Sequence, residues 1–276
     1  MKIETAFDRK YSKMREYNPD ASLNASFSFA ELNKLLNYKL SPSGINGIDT
    51  TMGGIPFGKV MFVMGKLNFG KSSMVKRISY TLASKSPVLY FSCGYPLEKV
   101  FESFITNFSI KPVGFVPPKN ILQRIFSIRS KQDYVTNERQ LYFNGNYYYD
   151  INTFKADCER EIKAKGIQVV VINNFESFGR NRCGVEKGKV DEQIMGVLTK
   201  LAKDFYVSII VTSVLKFDFK VNDILLQPPI ICIPGSWAIE KYADYIFFML
   251  EDEVGEKQVV IGKGDTENIG MRFKLK

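Results

Sequence analysis

A chain of 276 residues that is 45% apolar and 24% charged holds enough hydrophobic material for one large or two small domains, which excludes disorder as its default state. Lys and Arg number 38 against 29 Asp and Glu, leaving a net charge of +9 that suits phosphate-bearing partners. The absence of histidine excludes Ser-His-Asp and Cys-His nucleophiles, His-containing metal sites and an imidazole proton shuttle. Any chemistry rests on carboxylates, Lys, Arg, backbone amides or a bound cation. Cys93, Cys158, Cys183 and Cys232 form no CxxC pair and read as reduced thiols of a cytoplasmic protein. The N-terminus is charged from Lys2 onward and no apolar run approaches the ~20 residues of a bilayer span, so neither a signal peptide nor a membrane anchor is expected.

Residues 1–40 are polar and mixed in charge, and read as an N-terminal arm. Within it Ser28 and Glu31 fit a capping box, and Phe29, Leu32, Leu35 and Leu36 fall at helical spacing, a stripe that needs its own core or a neighbouring subunit to cover it. From residue 41 to 276 short apolar, β-branched runs alternate with helical patterns, which predicts an α/β domain with a largely parallel central sheet covered by helices. The predicted strands are Val60–Met64, Val88–Ser92, Leu141–Phe143, Val169–Ile172, Val207–Thr212, Tyr245–Leu250, Val259–Gly262 and Met271–Leu275. Several are apolar on both faces, as buried parallel strands are. Helices are predicted over Ser72–Ser84, Leu97–Asn107, Asn152–Lys165 and Asp191–Asp204, the third ending at Gly166.

Between the first strand and the first helix stands Gly65-Lys66-Leu67-Asn68-Phe69-Gly70-Lys71-Ser72, followed by Ser73, which fits the phosphate-loop pattern G-x-x-x-x-G-K-S/T in its required context. The glycines let the backbone wrap a phosphate, and successive N–H groups with the helix N-terminus bring partial positive charge to it. Lys71 is expected to reach the β- and γ-phosphates of ATP, and the Ser72 hydroxyl to bind Mg²⁺.

Upstream lie Ser43-Gly44-Ile45-Asn46-Gly47-Ile48-Asp49 and Gly53-Gly54-Ile55-Pro56-Phe57-Gly58-Lys59. With these the chain resembles the RecA-like P-loop ATPases, and among them the C-terminal motor domain of DnaB-type replicative helicases. The resemblance continues at Phe91-Ser92, Leu201-Ala202-Lys203-Asp204, Ala238-Ile239-Glu240 and Ala243-Asp244, and ends on Lys263 and Gly270. It implies a RecA-like fold, ATP and Mg²⁺ as ligands, single-stranded DNA as a partner, a homo-oligomeric ring or filament, a replication protein partner, and nucleotide contacts from Asn173 and Lys263.

The hydrolysis machinery that the resemblance implies departs from the family at three places. The central strand ends in Asn173-Asn174 where the family has an aspartate that holds Mg²⁺ through water. Gly94 takes the place of the water-polarising glutamate, with Glu98 four residues on. Asp265 takes the place of the arginine finger beside Lys263. Two readings follow: a nucleotide-binding protein with weak or absent hydrolysis, or an active helicase in which Glu98, Glu176 or Asp191 has taken over. A helicase-loading subunit or a KaiC- or RadA-like regulator is a third, non-enzymatic alternative.

Two loops carry the nucleic-acid expectation. Arg180, Arg182, Lys187 and Lys189 lie on a Gly-containing stretch suited to tracking phosphates, and Lys216, Phe217 and Lys220 interleave cations with an aromatic as base stacking requires. The alternative for each is a solvated loop, or for Phe217 an edge strand packed inward. Trp237 is read as a packing residue, with a subunit contact as the alternative.

Overall fold

The computed structural model describes residues 40–93, 95–108, 111–112, 138–145, 150–177, 187–215, 237–265 and 268–274, all within the compact unit Lys39–Lys276. In chain order the elements are β1 (Leu40–Ser41), α1 (Asn46–Met52), β2 (Ile55–Pro56), β3 (Val60–Gly65), α2 (Lys71–Leu82), β4 (Val88–Phe91), α3 (Leu97–Phe108), β5 (Lys111–Pro112) and β6 (Glu138–Arg139). There follow β7 (Leu141–Asn144), α4 (Ile151–Lys165), β8 (Val169–Ile172), a 3-10 turn over Phe175–Ser177, α5 (Lys187–Phe205), β9 (Ser208–Val214), α6 (Trp237–Tyr242), β10 (Tyr245–Glu251), β11 (Lys257–Lys263) and β12 (Arg272–Lys274). The arm helix around Ser28–Glu31 lies outside the described residues.

The central sheet has eight strands in the order β12-β11-β10-β3-β9-β8-β4-β7. From β10 to β7 every pairing is parallel, while β11 and β12 add an antiparallel edge. All eight predicted strands are present in it. Alternation along β3 explains the two-sided core: Val60, Phe62 and Met64 face α4, α5 and α6 through residues such as Phe154, Leu198 and Ile239, whereas Met61 and Val63 face α1, α2 and α3 through Ile48, Ile78 and Phe104. Burial pushes the Cys93 thiol up to about 12 and that of Cys158 well above its ordinary range, which leaves both protonated and unreactive.

Motif residues shared with the resemblance have structural work here. The Asp49 carboxylate accepts from the Ser43 N–H (2.7 Å), the Ser43 hydroxyl (2.8 Å) and the Gly44 N–H (3.1 Å), tying the chain to α1. Asp244 accepts from Lys59 Nζ and from the Val60 N–H, both at 2.9 Å, which fixes the start of β3 against β10.

Helix α4 starts at Asp150, whose Oδ1 accepts from the Asn152 and Thr153 N–H groups at 2.9 and 3.1 Å, and ends at Gly166 as predicted. Asp150→Ala is expected to cost about 1 kcal/mol. The Thr153 hydroxyl and amide, with the Asn152 amide, hold the Asp150 carboxyl below its usual range. A lowered native pKa means that this contribution is present above the unfolded carboxylate pKa and is lost as pH falls through the native one. Thermal denaturation should separate wild type from Asp150→Ala at pH 7 and bring them together in acid.

Candidate functional site: a phosphate cradle beside an uncharged strand end

The carboxyl ends of β3, β9 and β8 lie side by side, with Val63 in register with Thr212 on β9 and Val211 with Ile172 on β8. In an open parallel sheet that edge, outside the strand ends, is where ligands bind. A cleft of about 320 Å³ opens there. Its lining comprises Leu67 to Ser73 of the phosphate loop, Tyr95, Asn173, Asn174 and Glu176 after β8, and Thr212, Ser213 and Val214 at the end of β9.

The loop has the shape that its glycines demand. A Cβ on Gly65 would stand 2.9 Å from the Met249 carbonyl oxygen of neighbouring β10, so no side chain fits. Gly70, immediately before α2, has φ +95°, and Asn68 is left-handed as well at φ 61°. Lys71 opens α2 and folds back across the loop, its Nζ donating to the Gly65 carbonyl at 2.9 Å and to the Lys66 carbonyl. Burial pulls the Lys71 pKa down, and the Glu176 carboxylate opposes that shift.

Ser72 and Asn173 meet: the Ser72 hydroxyl donates to Asn173 Oδ1 at 2.9 Å, and the Thr212 hydroxyl donates to the same oxygen at 3.0 Å. The Asn174 N–H in turn donates to Thr212 Oγ1 at 2.7 Å. Asn173 is therefore buried, its side-chain oxygen accepts two hydrogen bonds at the strand end where the resemblance implies a carboxylate, and it brings an oxygen without a charge.

Glu176 sits one residue into the 3-10 turn. Its Oε1 accepts from the Ser213 hydroxyl (2.6 Å) and the Val214 N–H (2.7 Å), while Oε2 is buried without a hydrogen-bond partner among the described residues. The turn is anchored by Phe175, which packs edge-on against Phe62 of β3 with centroids 5.4 Å apart.

The remaining predicted residues distribute as follows. Lys263 is not among the residues lining the cleft; its Nζ donates to the Glu240 carbonyl of α6, and burial lowers its pKa against the pull of Asp244 and Glu240. Asp265 accepts from the Tyr245 hydroxyl at 2.8 Å. Glu98, in the first turn of α3, and Asp191, buried on α5, do not line the cleft. Gly94, Arg180, Arg182, Lys216, Phe217 and Lys220 lie outside the described residues, as do the side chains of Lys187 and Lys189, whose backbone opens α5. Trp237 does not serve as core packing: it is 46% exposed, with Lys241 Nζ 5.2 Å from its ring centroid. Thr212 and Ser213 went unpredicted as site residues, although two polar side chains ending an otherwise apolar strand are a legible signal.

A glycine-bounded loop between a central strand and a helix, with its lysine and serine turned into a cleft at the carboxyl edge of a parallel sheet, defines a RecA-like P-loop domain. Comparison with solved structures agrees. An ATPase domain aligns over 100% of both chains at 13% identity with a TM-score of 0.65. A DnaB-like replicative helicase, whose structure includes its interactions with primase, aligns over 96% of this chain and 62% of its own at 15% identity, with a TM-score of 0.66. Residues 41–274 match the DnaB-like helicase C terminal domain family, and the chain belongs to that family. No match was found among curated proteins.

Proposed function

We propose that this chain is an ATP-binding member of the DnaB-like group that acts in DNA replication as a homo-oligomer and hydrolyses ATP weakly or not at all. The observation that carries the reading is the contrast between a formed phosphate cradle and the residues at the positions expected to be catalytic. The cradle is formed, with Lys71 and Ser72 in place, while the strand end beside it carries Asn173, and the finger position carries Asp265 bonded to Tyr245. A carboxylate in that position repels a triphosphate, and loss of an arginine finger alone costs ~10³–10⁵ in rate.

The residues present fit a nucleotide with Mg²⁺. The Ser72 hydroxyl and Asn173 Oδ1 are hard oxygen donors 2.9 Å apart, and Mg²⁺ needs only one or two protein groups when phosphates and water complete its shell. When bound, the ion would offset the charge of the phosphates, with Ser72 and Asn173 as the residues that would hold it. Asn173 adds no negative charge to hold it, which favours weakened rather than abolished Mg²⁺ binding.

Glu176 and Val214 line the cleft shortly before the two basic loops in sequence, and Lys187 and Lys189 open α5, which supports single-stranded DNA contact through Arg180, Arg182, Lys187, Lys189, Lys216, Phe217 and Lys220. A replication protein partner, with residues 1–40 as a separate arm, belongs to the same reading, as does a cytoplasmic setting. Among the described residues no helix is long and apolar enough to cross a membrane. An active DNA helicase with a relocated carboxylate is the second reading, favoured by Glu176 in the cleft lining. Steady-state ADP production, with and without single-stranded DNA, separates the two: turnover near background beside measurable ATP affinity supports the first, DNA-stimulated turnover the second.

A further inference from the structure

We propose that Glu176 supplies, at the metal ion of the bound nucleotide, the negative charge that Asn173 does not. This rests on the reading that the cleft binds ATP with Mg²⁺. Among the described residues lining the cleft Glu176 is the acidic one, and it shares that lining with Lys71, Ser72 and Asn173. The other two carboxylates that the sequence offers as substitutes, Glu98 and Asp191, do not line it.

The position is built rather than incidental. Asn174, at φ 93°, turns the chain out of β8, and its Nδ2 donates to Ser177 Oγ at 2.7 Å to close the 3-10 turn. Phe175 pins that turn to β3 through Phe62. Ser213 and Val214 then hold Oε1 from the end of β9, so one carboxylate oxygen is used to fix the side chain and the other, Oε2, is left buried with no donor among the described residues. A buried carboxylate oxygen without a donor is costly to maintain for structure alone. Mg²⁺ keeps several of its waters when it binds, so a carboxylate held beside the phosphate loop would favour the ion through its charge without ligating it directly. The attraction between Glu176 and Lys71 places its charge within electrostatic range of the loop that cradles the phosphates.

The test uses the full chain and reads ATP affinity in Mg²⁺ and in EDTA, so that the result does not depend on turnover. In wild type Mg²⁺ should tighten ATP binding. Glu176→Gln, which keeps an oxygen for Ser213 and Val214, should lose about 10-fold or more of that tightening while its affinity in EDTA is unchanged or stronger. Asn173→Asp added to Glu176→Gln should restore it. If Glu176→Gln does not fold, the pair Glu176→Asp and Glu176→Asn repeats the comparison: Asp retains the Mg²⁺ effect and Asn loses it. A Mg²⁺ effect equal to wild type in the neutral variants overturns the role of Glu176 and leaves the functional reading standing, whereas ATP binding in wild type that ignores Mg²⁺ overturns that role together with the Mg²⁺ part of the functional reading. No ATP binding by wild type under either condition overturns both.

Discussion

Lys71→Ala should reduce ATP affinity by roughly 100-fold with little change in thermal stability. Lys71 is 8% exposed, and its ammonium is held over the loop by the Gly65 and Lys66 carbonyls, where a triphosphate would meet it. A hydrogen bond to a charged group contributes about 1.5–3 kcal/mol, and a lysine that serves two phosphate groups approaches the upper figure, which corresponds to the stated loss. The carbonyls it leaves behind border the cleft, where water replaces it. Lys71→Arg should not rescue binding, because a planar fork does not reproduce a compact ammonium with three rotatable donors. Lys76, one turn further along α2, is the control: its Nζ donates to Ser103 Oγ at 2.7 Å, and it does not line the cleft. Lys76→Ala should leave ATP affinity within about twofold of wild type, because at ordinary salt a single charge at that remove is largely screened.

Phe62→Ala should have the largest effect on stability, about 3–5 kcal/mol, seen as a fall of roughly 10 °C or more in the thermal midpoint. Phe62 is fully buried on the central strand, and removing its ring opens a cavity that the sheet on either side cannot collapse to fill. The same ring carries the edge-on contact with Phe175, so a folded fraction of the variant should also lose definition in the turn that presents Glu176. Phe62→Leu retains most of the volume and should recover more than half of the loss.

The sheet was legible because buried parallel strands announce themselves. Val169–Ile172 and Tyr245–Leu250 are short runs rich in β-branched or aromatic residues and buried throughout, the pattern of strands covered on both faces. The phosphate loop was legible for a different reason, since glycine is required at Gly70 by its left-handed backbone and at Gly65 by the close approach of β10. Helix α1 escaped prediction: Asn46–Met52 is short and carries a glycine and two threonines, and it is the Asp49 carboxylate, accepting from Ser43 and Gly44, that braces it. Helix α6, six residues from Trp237 to Tyr242, is too short to show a period.

At the site, the lysine and serine were readable from spacing alone, but the partners of Asn173 were not. That Thr212 donates to its side chain depends on β9 lying between β3 and β8, a pairing that joins residues 39 positions apart and has no local signature. Glu176 was visible only as one of three scattered carboxylates. What distinguishes it is the turn at Asn174 and the end of β9, and both come from tertiary structure.

We propose that the cleft holds ATP·Mg²⁺ without turning it over, and a single-turnover experiment tests this most directly. Excess wild-type protein is mixed with labelled ATP, Mg²⁺ and single-stranded DNA, and bound ATP and ADP are followed over time. The label should stay with the protein as ATP, with conversion no faster than in Lys71→Ala. Rapid conversion of bound ATP to ADP, abolished by Lys71→Ala, would contradict it.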